Sequence, residues 1–422
     1  MNNILEQKNK LEIVGGRKLF GSIQVTKAKN ALLPIIAATI LCHEKITLVD
    51  VPNLLDVEKM QDIIRALGGK AEKNDRELTI DTSGISKFEI PPSLASEIRS
   101  SIFMLGPIIA KHKKARVAYP GGCDIGSRPI DLHLAGLRDL NVKITEEHGF
   151  IDCDGKNMRS GLVHLDFPSV GATENIMMAA VFLKGETTIL NAAKEPEIVD
   201  LANFIRQMGG KIYGAGTSTI KIRGVKKLHG TTYSAMPDRI VAGTLLVACA
   251  MTGGKIVLEN TNFEHIYSLI SKLRNSGCQI DYNSDKIVLE QKCKPQSCPS
   301  VETQPYPGFP TDLQAQFMAL QTVSEGISVI TENLFETRYK HVPELIKMGA
   351  KITTRDRMAI IQGGKLFGAS VEAHDLRGGA ALVLAGLAAK GKTIVSNIHY
   401  VDRGYEKIED MFSSLGAEIK RI

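Results

Sequence analysis

One short signal closes a helix six times along this chain. It reads Leu67-Gly68-Gly69-Lys70, Leu140-Asn141-Val142-Lys143, Met208-Gly209-Gly210-Lys211, Ser276-Gly277-Cys278-Gln279, Met348-Gly349-Ala350-Lys351 and Leu415-Gly416-Ala417-Glu418. The copies lie 67 to 73 residues apart. Gly, or Asn141, stands where a helix ends in the left-handed conformation, and a strand and hairpin follow. Each copy also begins alike. A strand leads into an apolar helix (residues 23–25 then 32–41; 371–373 then 382–389), and a second strand follows, as at 188–191, 256–260 and 393–397. The unit is strand–helix–strand–helix–hairpin, about seventy residues long. That exceeds the usual solenoid period, and a unit of two helices and several strands can close around an axis instead of stacking in a line. The expected fold class is therefore α/β: two inside-out α/β barrel domains of three repeats each, helices inside and sheets outside.

Composition narrows the function. The chain has 422 residues, enough for two or three domains, with 43% apolar and 23% charged residues. Fifty-two basic and 46 acidic residues leave a net charge of +6, which suits small anions better than a polyanionic polymer. With no Trp and only 5% aromatics, base-stacking platforms are not expected, nor is a nucleic-acid partner. The longest apolar stretches, 31–41, 240–251 and 380–389, are too short for a membrane span and read as buried helices. Residues 1–16 lack an apolar signal core, and the seven cysteines are scattered without a C-x-x-C pair. These features predict a cytoplasmic protein with no disulfides, no zinc site and no membrane association.

Polar residues recur where the first strand turns into the first helix: Lys29-Asn30, Glu97 and Arg99, Gly171-Ala172-Thr173, Asp238-Arg239, Thr311-Asp312, and Asp375 with Arg377. Helix N-termini present free N–H groups and attract anions. Thr173 reads as an ordinary helix cap. Lys29, Arg99 and Arg377 do not, because a cation is unfavourable there unless a ligand compensates it. A second polar cluster follows the second strands: 123–128, 195–197, 334–338 and 402–403. From these places Lys29, Arg128, Arg338, Arg377 and Arg403 could converge on a ligand bearing phosphate and carboxylate, which a guanidinium fork matches. The segment 119–129 holds three Gly and two Pro ahead of a helix and reads as a shaped loop. Within it Cys123, five residues from Arg128, is expected to be exposed and reactive. One motif is rejected. Residues 386–393 match G-x-x-x-x-G-K-[ST], but a helix precedes and a strand follows, the reverse of a P-loop. His133 and His341 show no metal-ligand spacing.

In order and spacing, these pieces resemble the enolpyruvyl transferases over essentially the whole chain. The most specific are Ala28-Lys29-Asn30-Ala31, Pro120-Gly121-Gly122-Cys123 through Arg128-Pro129-Ile130-Asp131-Leu132-His133, Ser169-Val170-Gly171-Ala172-Thr173, Glu195-Pro196-Glu197-Ile198, Pro237-Asp238-Arg239, Phe309 to Gln316, His374 to Arg377 and Asp402 to Glu406. The resemblance implies two domains, residues 29–235 carrying the Cys123 loop and residues 1–28 with 236–422, with a cleft between them. It implies transfer of the enolpyruvyl group of phosphoenolpyruvate to the 3′-hydroxyl of UDP-N-acetylglucosamine, the first committed step toward cell-wall peptidoglycan, without a cofactor. On that basis Lys29, Arg128 and Arg403 hold the phosphate, and Arg338 and Arg377 neutralise the carboxylate. Asp312 accepts the hydroxyl proton, and Cys123 is the acid and the target of fosfomycin. Asn30 and Asp312 orient the sugar; Arg99, Arg128, Pro129, Ile130, Asp131, Leu132, Ser169, Val170, Gly171 and Leu334 line the sugar-nucleotide pocket. Glu195, Asp238 and Asp375 orient the cations. Lys27, Asp124 and Thr337 depart from the family pattern. The alternatives are the shikimate-pathway enolpyruvyl transferase, a silent UDP-sugar-binding paralogue, and an RNA-end-processing enzyme built from related repeats. The Cys loop argues against the first, the intact Lys29, Cys123, Asp312 and Arg403 against the second, and low aromatic content against the third.

Overall fold

All six helix-ending residues take positive φ: +105° at Gly68, +64° at Asn141, +99° at Gly209, +91° at Gly277 and +92° at both Gly349 and Gly416. The repeated signal therefore does the same backbone work each time. A second device marks the same corner. Arg65, Arg206 and Arg274, in the last turns of three of these helices, each donate to the carbonyl six residues on, at Ala71, Ile212 and Ile280. In the last repeat Ser413 does this with a hydroxyl, to Ile419.

The structure is a computed structural model that describes residues 9–119, 121 and 130–422. Cys123, Asp124, Arg128 and Pro129 lie outside the described residues. The chain divides into two compact units. One comprises the described residues between Lys27 and Met236. The other comprises those up to Thr26 together with Pro237–Ile422. Each contains three separate sheets, and none of the six is closed on itself.

The sheets share one plan. In the fifth repeat Ser300–Glu302 pairs parallel with Ile327–Thr331, which pairs antiparallel with Met358–Gln362, and Lys351–Arg355 completes the hairpin. The second repeat reduces its leading strand to a single bridge, Glu89 with Arg116, leaving three strands. Two departures from the repeat as read in the sequence concern which strands meet. The leading strand of the first repeat, Leu19–Gln24, pairs with Gly254–Glu259 of the fourth. The leader before the fourth repeat's helix, Thr232–Ser234, pairs with Ile46–Val49 of the first. The two leaders are exchanged where the chain passes between units. The last sheet is likewise completed from the start of the chain, with Lys10–Val14 between Lys392–Ser396 and Glu418–Arg421.

Six central helices carry the cores: α1 (Lys29–Ala38), α2 (Leu105–His112), α3 (Val170–Ala180), α4 (Arg239–Thr252), α5 (Gln314–Val323) and α6 (Leu376–Ala388). Every residue of α4 except Thr252 is buried, and of α6 all but Ala388. A helix buried on every side must be apolar on every side, which is what 240–251 and 380–389 show. In one unit α4, α5 and α6 pack against one another; in the other α2 packs on α3, and α1 on the 3₁₀ turn Arg99–Met104. Strands alternate buried and exposed residues, so each sheet covers its helices with one face, as in Ala71, Leu78 and Ile80 against the exposed Lys70, Glu72 and Glu77. Each buried Leu, Ile or Phe contributes roughly 1.5–3 kcal/mol. This plan brings the N-termini of α1, α3, α4, α5 and α6 behind a leading strand, while that of α2 follows the 3₁₀ turn Arg99–Met104. The P-loop-like residues 386–393 lie at the end of α6 and enter the strand Lys392–Ser396, so they form no phosphate cradle.

Candidate active site

In the unit of residues 27–236, Lys29 opens α1 and is almost fully buried. Its ammonium lies 3.1 Å from Asp56 Oδ2, itself buried. The Ala28 N–H donates to Met236 O, which fixes the start of the helix. Asn30 follows, half-buried. The cation that seemed to demand a ligand thus has a protein carboxylate, and Asp56 was not singled out in the sequence. Lys27 stands half-buried nearby, and its charge acts on Asp200, which accepts from the Tyr233 hydroxyl and the Met236 N–H.

Arg99 is different. It opens the 3₁₀ turn Arg99–Met104, is half-buried, and has no carboxylate partner among the described residues. Burial alone lowers its pKa, with no opposite charge acting against that. Among the described residues it is an uncompensated cation, the kind of group that an anionic ligand stabilises. The turn is pinned by Asn175 of α3. Its Nδ2 donates to Ile102 O at 2.9 Å, and its Oδ1 accepts from the Gly106 N–H at 2.7 Å. Asn175 Nδ2 also lies 2.8 Å from His133 Nδ1, so that nitrogen accepts and the ring carries its proton on Nε2. Burial and then the Arg99 charge push the His133 pKa down to about 3, so it is neutral. A Cβ at Gly171 would meet this ring at 2.9 Å, which is why glycine stands there.

Ser169, not Thr173, caps α3: its Oγ accepts from the Ala172 N–H. Thr173 instead donates to Ser169 O and accepts from the Ala193 N–H. The sequence reading of Thr173 as the cap is corrected, because its hydroxyl lies inside the first turn. Ser169, Val170, Gly171 and Leu132 are half-buried, Ile130 is buried and Asp131 exposed, and Glu195 stands just before the helix Pro196–Gln207.

In the unit completed by residues 237–422, the polar turns of the fifth and sixth repeats meet on Asp312. Arg338 Nη2 donates to Asp312 Oδ1 at 2.6 Å and Arg377 Nη2 to Oδ2 at 3.0 Å. Both arginine side chains are almost fully buried, and Asp312 keeps a quarter of its surface open. Asp312 is not a helix cap. The 3₁₀ turn Thr311–Leu313 is entered from Pro310, and α5 from Leu313. Burial works against the charge on Arg377, but Asp312, Tyr405 and Asp238 outweigh it and raise its pKa. Asp238 and Asp375 are the caps here. Asp238 accepts from the Ile240 and Val241 N–H groups, Asp375 from those of Arg377 and Gly378. Asp375 therefore holds Arg377 through its main chain. Arg403, half-buried, closes the 3₁₀ turn Ile398–Arg403. Arg421 fixes that turn by donating to both oxygens of Asp402, at 2.8 and 2.6 Å.

Glu332 organises the polar turns of the fifth repeat and was missed in the sequence. Its Oε1 accepts from Thr303 Oγ1 and the Leu334 and Phe335 N–H groups, and its Oε2 from Thr311 Oγ1. Thr311 Oγ1 in turn accepts from Arg338. Glu332 follows its strand where Asn191, Asn260 and Asn397 follow theirs in other repeats, but it does not share their positive φ. Two guanidiniums sharing one carboxylate form a charge-assisted pair of bonds, and an incoming carboxylate can make the same pair.

Among the described residues no three His, Cys, Asp or Glu side chains are grouped to hold a metal ion, and no helix is long and apolar enough to cross a membrane. Residues 13–412 match the family model described as EPSP synthase (3-phosphoshikimate 1-carboxyvinyltransferase). The chain belongs to this family of enolpyruvyl transferases. Among its relatives, the UDP-N-acetylglucosamine 1-carboxyvinyltransferase 2 of Caldanaerobacter subterraneus is 49% identical over 98% of this chain and 99% of its own. That of Carboxydothermus hydrogenoformans is 47% identical, and the UDP-N-acetylglucosamine 1-carboxyvinyltransferase of Geotalea uraniireducens 46%, both with the same coverage. Among solved structures, the enolpyruvyl transferase NikO from Streptomyces tendae matches with a TM-score of 0.86 at 23% identity, covering 98% of this chain and 99% of that one. The EPSP synthase of Acinetobacter baumannii matches at 0.74 with 19% identity and the same coverage. These two share the enolpyruvyl transferase fold with this chain.

Proposed function

We propose that this enolpyruvyl transferase uses phosphoenolpyruvate and UDP-N-acetylglucosamine, placing the enolpyruvyl group on the sugar 3′-hydroxyl and releasing phosphate. The observation that carries this reading is the group of relatives bearing that activity in their names, 46–49% identical over 98% of the chain. The hydroxyl oxygen adds to C2 of phosphoenolpyruvate while C3 takes a proton. The tetrahedral adduct then loses a proton from C3 as the bond from C2 to the phosphate oxygen breaks. Asp312 accepts the hydroxyl proton, and Arg338 and Arg377 take the substrate carboxylate in its place. Lys29, Arg128 and Arg403 hold the phosphate, and Cys123 is the acid and the site of fosfomycin alkylation. Asn30 and Asp312 orient the acceptor sugar. Arg99, Arg128, Pro129, Ile130, Asp131, Leu132, Ser169, Val170, Gly171 and Leu334 bind the sugar nucleotide. Preorganised cations of this kind stabilise developing negative charge where water is excluded. We assign residues 29–235 to one catalytic domain and residues 1–28 with 236–422 to the other, and the protein to the cytoplasm and to cell-wall synthesis in growing and dividing cells.

The test is release of inorganic phosphate from phosphoenolpyruvate with UDP-N-acetylglucosamine or with 3-phosphoshikimate as acceptor. Release with the sugar nucleotide alone is expected. Release with 3-phosphoshikimate alone would assign the chain to the activity in its family model's description, and release with neither would overturn the reading.

A further inference from the structure

Arg377 is held at two points. Its Nη2 meets Asp312, and its Nη1 donates to the Tyr405 hydroxyl at 3.2 Å. Tyr405 is 1% exposed, Thr244 1% and Gln316 0%, and the three form one buried polar knot. Thr244 Oγ1 donates to Ile240 O at 2.8 Å, so it can accept from the Tyr405 hydroxyl, 2.8 Å away. That assignment directs the phenolic proton to Thr244 and leaves the oxygen's lone pairs for two donors, Arg377 Nη1 and Gln316 Nε2, the latter at 3.1 Å. Gln316 Nε2 also donates to the main-chain carbonyl of Asp312 at 3.0 Å. One phenolic oxygen thus links the guanidinium of Arg377 to the turn that carries Asp312, using the fourth, fifth and sixth repeats.

A core that needed only an apolar ring here would be served by Phe, and burying a hydroxyl without a purpose is unfavourable. Resting on the function proposed above, we infer that Tyr405 is a positioning residue for the carboxylate-binding arginine. When the substrate carboxylate takes the place of Asp312, Arg377 loses its protein counter-ion, and the released Asp312 can take the acceptor's proton. The hydroxyl of Tyr405 keeps the buried guanidinium aimed at the substrate carboxylate during that exchange, and Gln316 keeps the Asp312 turn at a fixed distance.

The experiment is steady-state kinetics of Tyr405→Phe with each substrate varied in turn, alongside a thermal melt. The expected result is a kcat about tenfold to a hundredfold lower and a raised KM for phosphoenolpyruvate, with the sugar-nucleotide KM unchanged. Combined with Arg377→Lys, the second change should add little to the first, because both act through one guanidinium. A variant that melts earlier but keeps wild-type kinetics, or one whose two KM values rise together, would overturn the inference. If Tyr405→Phe does not fold, Thr244→Val carries the same test. It leaves the phenolic proton without its acceptor and should shift the same KM by a smaller factor. Wild-type protein that releases no phosphate refutes the underlying reading, whereas active wild type with an unaffected Tyr405→Phe refutes this inference alone.

Discussion

The two units are built on one repeat yet differ in how far they neutralise their buried positive charge. In the unit completed by residues 237–422, Asp312 neutralises both Arg338 and Arg377, and aspartates cap α4 and α6. In the unit of residues 27–236, Lys29 has Asp56, but Arg99 has no carboxylate among the described residues, and its neighbour His133 is neutral. One unit carries its own exchangeable anion. The other leaves a cation, Arg99, with no carboxylate partner among the described residues. The same fold can therefore offer a site where a substrate carboxylate replaces a protein carboxylate and a site where an anion enters unopposed.

The largest effect should come from removing the exchangeable anion. Asp312→Asn keeps the side chain's shape but cannot take a proton, so turnover should fall about 10²–10⁴-fold. Its melting temperature should fall, since two buried arginines lose the carboxylate they share, and phosphoenolpyruvate should restore part of that loss. The same variant should bind phosphoenolpyruvate at least as tightly as wild type by calorimetry, because the arginines no longer have an internal competitor. Weakened binding there would break the comparison. Next in size is Arg99→Ala. Loss of a hydrogen-bonding charge should raise the KM for UDP-N-acetylglucosamine about tenfold or more while sparing that for phosphoenolpyruvate. Equal shifts in both would mean that Arg99 is not a separate anion site.

Much of this arrangement was legible in the sequence. The six left-handed helix ends, the fully buried central helices and the rejection of residues 386–393 as a phosphate loop follow from local pattern, because backbone conformation and burial are local consequences of residue type. Pairing was less legible. Leu19–Gln24 joins a strand more than two hundred residues away, and nothing in its own alternation names that partner. Likewise Asp312 reads only as a polar residue of its own turn, and only the folded chain shows that its arginine partners come from two other turns. Asp56, Glu332 and Tyr405 were missed for the same reason. Each acts through a contact distant in sequence: Asp56 with Lys29, Glu332 with Thr303 and Thr311, Tyr405 with Thr244 and Arg377.

A smaller effect concerns pH. Glu174 of α3 is fully buried, and neither of its oxygens has a partner among the described residues. Burial, then the charges of Glu197 and Glu195, raise its pKa well above the ordinary carboxylate range. The folded state therefore keeps a proton that the unfolded state has lost, and stability falls as pH rises above about 4.5. Glu174→Gln should remove that penalty, so its melting temperature should exceed that of wild type by a margin that widens from about pH 5 to pH 8. A constant margin would mean that Glu174 is ionised in the fold. His133 acts at the other end of the range. Its pKa of about 3 makes the fold lose stability as pH falls below about 6.5, and His133→Asn should flatten that decline. The smallest effect expected is Ser169→Ala, which removes the cap of α3 and should cost about 1 kcal/mol in denaturant unfolding.

The most direct test of the account is mass spectrometry of UDP-N-acetylglucosamine after incubation with the protein and phosphoenolpyruvate. The account predicts a sugar nucleotide heavier by one enolpyruvyl group, formed one-for-one with inorganic phosphate, and none with Asp312→Asn over the same interval. An unchanged sugar nucleotide with the wild-type protein, or undiminished product with Asp312→Asn, would contradict it.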